Sequence, residues 1–219
     1  MAPVFFVSLG NMVASTPHSP EPAGIRLAED SDIDAVVATV TSAFLEDPLW
    51  SPIFSEVDDA AFTSSRLWHL YVSSAALRYP WTFVTPNVEA AAVWYPPGAE
   101  YLTTTEIDGF DSFLEGLVGR TRADEVQEID AAFDAAHPAE PSFYLSLLAT
   151  HNNHRGRGLG MDLLRQSLAH IDALEMPAYL ESSNPANDAR YTRAGFEPLG
   201  VATMPSGQRV TTMWRPARK

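Results

Sequence analysis

Cysteine is absent from the 219-residue chain. Without it there is no disulfide scaffold, no thiolate nucleophile and no Cys-based zinc or iron–sulfur site. The absence fits a cytoplasmic protein, where thiols stay reduced. No apolar run approaches the roughly 20 residues that a membrane helix needs, so no membrane partner is expected. Basic charge is scarce: 14 Lys and Arg stand against 28 Asp and Glu, a formal net charge of −14. That balance lacks the footprint of nucleic-acid binding. Residues 1 to 13 are apolar, but without a basic n-region or a cleavage site they do not read as a signal peptide. Met12 is a second candidate start.

The residues that are present describe a globular protein. Hydrophobic residues make up 46% and charged residues 19%, too apolar for a disordered chain. The length favours one domain over 24–219, preceded by a flexible leader over 1–23 that is rich in Ser, Pro and Thr towards its end. Charge is uneven along the chain. Residues 1–140 carry 5 basic and 22 acidic side chains, and residues 141–219 carry 9 and 6. Solvated helix faces would account for many of the acids. A site with an anion at one end and a cation at the other would produce the same asymmetry.

Periodicity and punctuation predict an alternating α/β pattern. A short strand is expected over 24–29, then a helix capped by Ser31 and Asp34 that runs to Glu46. A second helix spans 58–78, with Phe62, Leu67, Leu70, Tyr71 and Ala75 along it. Strands over 81–85 and 90–95 form a hairpin. The acidic stretch 106–136 reads as two helices broken near Gly119. Residues 142–150 form a strand, with Phe143, Leu145, Leu147 and Ala149 on one face and Tyr144, Ser146, Leu148 and Thr150 on the other. A helix to about Leu174, a strand over 178–182, a short helix from Pro185 to Ala194 and two strands over 197–204 and 209–215 complete the chain.

Between the strand at 142–150 and its following helix lies His154-Arg155-Gly156-Arg157-Gly158-Leu159-Gly160. Alternating glycines let a backbone approach a ligand closely and turn several N–H groups to one side. The helix N-terminus adds partial positive charge, and Arg155 and Arg157 add whole charges. A pyrophosphate suits such a turn, although a packing role for the glycines remains open. It is not a Walker A loop, because no Gly-Lys-Ser/Thr follows, nor a Rossmann fingerprint, because its last spacing is one residue short.

The run Arg155 to Gly160 matches the R/Q-x-x-G-x-G/A acyl-CoA motif of the GNAT N-acetyltransferases. The later runs Leu180 to Asn187 and Tyr191-Thr192-Arg193-Ala194-Gly195-Phe196-Glu197 match that family's following strand and Tyr-x-x-x-Gly-Phe helix. The chain resembles the puromycin N-acetyltransferase group most, through Ala43-Phe44, Asp47-Pro48, Ala91 to Trp94 and Glu140-Pro141. Asn152 and Arg190 depart from the pattern.

The resemblance implies a GNAT fold: a mixed, mostly antiparallel sheet of six to seven strands, with splayed central parallel strands and flanking helices. It implies acetyl-CoA as co-substrate, held by residues 142–219, and a small-molecule amine as acceptor, held by residues 24–141. The backbone of Leu148, Ala149 and Thr150 would bind the pantetheine. Residues Arg155, Gly156, Arg157, Gly158, Leu159 and Gly160 would bind the pyrophosphate, with Asn187 and Tyr191 as further cofactor contacts. Tyr191 would protonate the leaving thiolate, or simply anchor its helix. Glu181 is a candidate base, or a structural carboxylate. His151 and His154 have metal-like spacing without a third ligand, so they read as loop residues and no metal is expected. Trp50, Trp68, Tyr71, Trp81 and Trp94 would wall an aromatic-amine site, or fill the core. Acylation of a protein lysine or N-terminus, a silent acyl-CoA-binding module, and a monomer or a homodimer are all compatible with the sequence.

Overall fold

The computed structural model describes residues 24–218, so the expected leader lies outside the described residues. In chain order the elements are β1 (Arg26–Leu27), α1 (Ile33–Phe44), α2 (Ala60–Arg78), β2 (Thr82–Val84), β3 (Ala90–Tyr95), α3 (Thr104–Val118) and α4 (Arg120–Ala136). Then come β4 (Phe143–Thr150), α5 (Leu159–Asp172), β5 (Ala178–Ser182), α6 (Asp188–Arg193), β6 (Glu197–Thr203) and β7 (Arg209–Arg215). The strands form one sheet in the order β1-β2-β3-β4-β5-β7-β6. Every neighbouring pair is antiparallel except β4 and β5, which run parallel. The expected mixed sheet with a central parallel pair is therefore present.

Helices cover both faces of the sheet. Residues of α1, α2, α3 and α4 pack with Ala91, Val93 and Tyr95 of β3 on one face. Residues of α5 and α6 pack with Ala90, Ala92 and Trp94 on the other. Each side of β3 thus feeds a different core, as period-2 alternation requires of a strand buried on both faces.

The expected faces of β4 are corrected. Phe143 and Leu145 join the α5 core, but Leu147 and Ala149 join the α1–α4 core. The reason is a bulge. Trp94 pairs with Leu145 and Val93 with Leu147, so Ser146 is an extra residue that has no partner on β3. One additional residue inverts the side-chain alternation beyond it. Pairing of β4 with β5 covers Phe143, Tyr144 and Leu145 and stops there.

Two local expectations also change. A single 3-10 turn over Asp30–Asp32 precedes α1, and Asp32, rather than Asp34, accepts from the Glu29 N–H at 2.8 Å. Arg26 holds the same Asp32 carboxylate at 2.8 Å, drawing it to this position. Phe62 is 62% exposed. It sits about 120–140° around α2 from Leu67 and Trp68, so it faces away from the core. The breaks at Gly119 and around Pro205 to Gly207 fall where expected, between the elements given above.

Arg215 ties the carboxyl-terminal half together. Its guanidinium is 2% exposed, makes two bonds to Asp172 at 2.6 and 2.7 Å, and donates to the Ala194 carbonyl at 3.2 Å. It thereby joins β7 to the end of α5 and the turn after α6. Arg215→Leu leaves Asp172 and that carbonyl unpartnered. The expected loss is about 2–3 kcal/mol, at or just below the lower end of the range for breaking a fully buried pair, because Asp172 reaches solvent. Urea denaturation reads this as a lower midpoint; an unchanged midpoint would show that the triad contributes nothing to stability.

Candidate active site

Beyond Leu145 and Leu180 the parallel strands lose their pairing. The His151 N–H donates to the Glu89 carbonyl at 2.9 Å, next to the register pairs Ala90–Thr150, Ala91–Ala149 and Ala92–Leu148. Antiparallel ladders alternate, so Ala149 and Leu147 direct their backbone polar groups at β3. Leu148 and Thr150 direct theirs the other way, into the space that β5 has left. Both residues line the main cavity, and Ala149 does not. Ala149, between them, has its side chain 2% exposed in the core and its amide on the β3 side.

The glycine turn leads from this open edge into α5. Gly156 and Gly158 have φ near +78° and +79°, a region that side-chain-bearing residues rarely adopt. A Cβ on Gly160 would come within 2.6 Å of Thr150 Oγ1, so this glycine brings the start of α5 against the end of β4. The arginines of the turn differ from one another. Arg155 lines the cavity while bonding Glu46 at 3.1 Å and the Ala43 carbonyl at 3.0 Å. Arg157 lies 2.8 Å from His154 Nδ1 and is not part of the cavity wall. His151 Nδ1 accepts from the Asn153 N–H, so the two histidines serve the turn's own geometry. Among the described residues no group of three or more His, Asp or Glu could hold a metal. Backbone N–H groups at a helix start, with glycines in place of side chains, fit a phosphate-bearing ligand.

One cavity of about 1100 Å³ runs from this turn to a chamber between the sheet and α2–α4. Its near end includes Gly156, Gly158, Gly160, Asn187 and Tyr191; its far end includes Tyr71, Phe110, Asp130, Phe133 and Asp134. Asn187 accepts from Arg190 at 2.7 Å, which explains how an arginine is accommodated beside Tyr191 on the exposed side of α6. Burial raises the Tyr191 hydroxyl to about 12, with the fields of Asp47 and Asp188 adding to it.

Glu181 projects from β5 into the middle of the cavity wall. Its side chain is 3% exposed, Oε1 has no hydrogen-bond partner, and His137 Nδ1 stands 4.0 Å away. Burial pushes its carboxyl up to about 7, against the opposing pull of the Tyr144 and Tyr179 hydroxyls. Asp130 behaves in the same way. Burial raises it to about 7, Tyr71 donates to it at 3.2 Å and lowers it, and Asp134 adds repulsion.

Sequence reasoning missed Asp130. The signal was there: Val126, Ile129 and Phe133 mark the apolar face of α4 at i, i+3 and i+7, and Asp130 occupies i+4. A carboxylate on an apolar helix face is placed for a purpose or is costly. Three of the five expected aromatic residues, Trp50, Trp68 and Tyr71, line the cavity. Trp94 is instead buried in the α5 core, bonded to Ser167 at 3.1 Å, and Trp81 packs tilted against Phe143. Alternation on β3 puts Trp94 on the opposite face.

No family model matches the chain. Solved structures do match it. An acetyltransferase from Corynebacterium glutamicum, described with histone acetyltransferase HPA2, is 23% identical over 89% of this chain and 96% of its own, with a TM-score of 0.66. A Drosophila melanogaster polyamine N-acetyltransferase that forms N-acetylagmatine matches at 13% identity, over 88% and 99%, with a TM-score of 0.61. A GNAT family acetyltransferase from Streptococcus agalactiae matches at 14% identity, over 90% and 96%, with a TM-score of 0.55. The chain has the GNAT fold. Identities this low establish the GNAT architecture and leave the chemistry to the site. Among the described residues no helix is long and apolar enough to cross a membrane.

The two raised carboxyls fix the sign of a pH effect. A group with a higher pKa when folded binds more protons in the folded state, so its contribution is lost as pH rises. For Asp130 the loss runs from about pH 4 to about pH 7. Asp130→Asn retains the acceptor for Tyr71 without the charge. It is therefore expected to melt higher than wild type at pH 8 and to lose that advantage at pH 4. A constant difference in Tm across that range would contradict the assignment.

Proposed function

We propose that the protein is an N-acetyltransferase that moves the acetyl group of acetyl-CoA directly to a small cationic amine. The observation that carries this reading is one cavity joining an unpaired strand edge and a glycine turn to a chamber with a buried, half-unpartnered carboxylate. The amides of Leu148 and Thr150 hold the pantetheine arm. The N–H groups from Arg155 to Gly160 hold the pyrophosphate, Arg155 and Arg157 raise the local positive potential, and Asn187 makes a side contact. Residues 142–219 thus form the donor side, and α1 to α4 within 24–141 wall the acceptor side.

The co-substrate supplies a thioester carbonyl open to attack. Glu181 takes the proton that an ammonium ion must lose before its nitrogen can attack. Glu181 passes that proton on to solvent. The new C–N bond then forms as the C–S bond breaks, the second excess N–H proton leaves through the freed Glu181 carboxylate, and the departing thiolate takes up one proton to leave as the thiol. The Leu148 N–H, facing the gap, is placed to stabilise oxyanion character. Tyr191 keeps its proton at neutral pH. Burial holds the Tyr191 hydroxyl in its protonated form, as a donor to the departing sulfur requires. Tyr191 therefore meets the departing sulfur as a hydrogen-bond donor and as the acid that protonates it. The acceptors of the solved relatives, polyamines and agmatine, belong to the class that such an acidic chamber would attract, and the sequence likeness to the puromycin group also points to an amine.

Calorimetry with acetyl-CoA tests the donor site. Wild type is expected to bind acetyl-CoA in preference to ATP and NAD, and Gly158→Glu to lose that binding, because bulk and negative charge then occupy the pyrophosphate position. No binding to folded wild type would end the transferase reading. Turnover tests the chemistry. With an amine acceptor, kcat/KM should rise through about pH 7 as Glu181 ionises. Glu181→Gln should lower it by about 10²–10⁴-fold and remove that limb. Tyr191→Phe should lower kcat more than it weakens acetyl-CoA binding.

A further inference from the structure

The acceptor chamber carries more negative charge than a single amine requires. Glu181 supplies one buried carboxylate with an oxygen that has no partner. Asp130 supplies a second on the same cavity wall, oriented by the Tyr71 hydroxyl. Asp134, one helical turn along α4, also lines the cavity, and its field reaches both of the others. His137, a further turn on, brings the end of α4 to Glu181 at 4.0 Å. Asp130, Asp134 and His137 stand at i, i+4 and i+7, on one face of the helix. The stretch from Asp130 to Ala136 is about 9 Å long, so Asp130 and Glu181 mark opposite ends of a line of negative charge.

The walls between these ends are apolar and aromatic. Tyr101, Phe110, Phe133 and Tyr144 line this part of the cavity, suited to a methylene chain and to cation–π contact. The arginines of the cavity wall, Arg155 and Arg190, belong to the glycine turn and α6, at the other end. Each of the two buried carboxylates has lost hydration and is repelled by Asp134, an arrangement that a cation at each end would relieve.

We infer that the preferred acceptor is a dication: a diamine-like molecule whose reacting amine sits at Glu181 and whose second cationic group is held by Asp130, with Asp134 between them. Asp130 is then a specificity residue, and the distance between the carboxylates selects the length of the acceptor. The inference rests on the transferase reading for which end reacts, but not for the binding of two charges.

The test compares α,ω-diaminoalkanes, from diaminobutane to diaminooctane, with n-alkylamines of the same length, using wild type and Asp130→Asn. Thiol release should give diamines a kcat/KM at least about tenfold above matched monoamines, with one best length. Asp130→Asn should collapse that ratio, mainly through KM for the diamine. Calorimetry with the same amines reads binding without turnover, and wild type should again favour the diamines. If diamines bind preferentially but no amine is acetylated, the transferase reading fails and the dication site stands. If wild type treats diamines and monoamines alike in both rate and binding, the dication proposal is overturned. That comparison needs no variant, and a thermal melt shows whether Asp130→Asn is folded.

Discussion

Ser146, the extra residue in β4, is the constraint on which the site depends. Without it, β4 would continue its alternation, and Leu147 and Ala149 would stay on the α5 side. With it, the strand turns over at the point where pairing to β5 ends. The amides of Leu148 and Thr150 then face a gap rather than a neighbouring strand. An unpaired backbone edge inside a protein is costly unless something bonds it, and here the gap opens onto a cavity that a ligand can fill. The glycine turn follows four residues after the strand, and Gly160 lets α5 begin against Thr150. The open edge and the helix N-terminus therefore belong to one continuous wall.

The second organising feature is charge placed where burial disfavours it. Glu181 and Asp130 are both pushed up to about 7. Asp47 is raised in the same direction by burial, while it accepts from Ser183 at 2.7 Å and from the Leu49 N–H at 2.9 Å. That bond links the loop after α1 to the chain leaving β5, which holds the acceptor-side and donor-side walls together. Burial makes the charged form of all three acids less favourable than it is in water. A carboxyl titrating near 7 is also poised to take up a proton and release it again, which a surface carboxylate at its usual value does poorly. The disfavoured charge and the gain of chemistry here share one cause, desolvation.

The position of the acids along α4 gives the chamber its direction. A helix repeats a face every three to four residues, so one stretch of sequence can lay out charge in steps of about 5 Å. Asp130, Asp134 and the His137 end of α4 do this beside Glu181, which comes from a different element altogether. The donor side is built from backbone groups and glycines, and the acceptor side from side chains. That division explains why the donor side is the more recognisable of the two in sequence.

Local pattern in the sequence determined the elements: the two helices broken at Gly119, the hairpin of β2 and β3, the run from β4 through α5 to β5, and the inward face of α5. It also determined the glycine turn, because alternating glycines before an amphipathic helix admit few conformations. Tertiary structure alone decided the rest. The sequence pattern of β4 shows unbroken alternation, and only pairing with β3 reveals that Ser146 is left over. Which residues of β4 turn their amides to β3 and which to the gap is decided by the ladder register. Trp94 and Trp81 look like Trp50 and Trp68 in composition, yet strand alternation sends them to the opposite face. Glu181 and Asp130 lie 51 positions apart in the sequence, and they meet in one cavity because the end of α4 reaches β5, where the Tyr179 hydroxyl donates to the Ala136 carbonyl and His137 faces Glu181. Burial, which sets what those carboxylates can do, is a property of that packing and not of either residue.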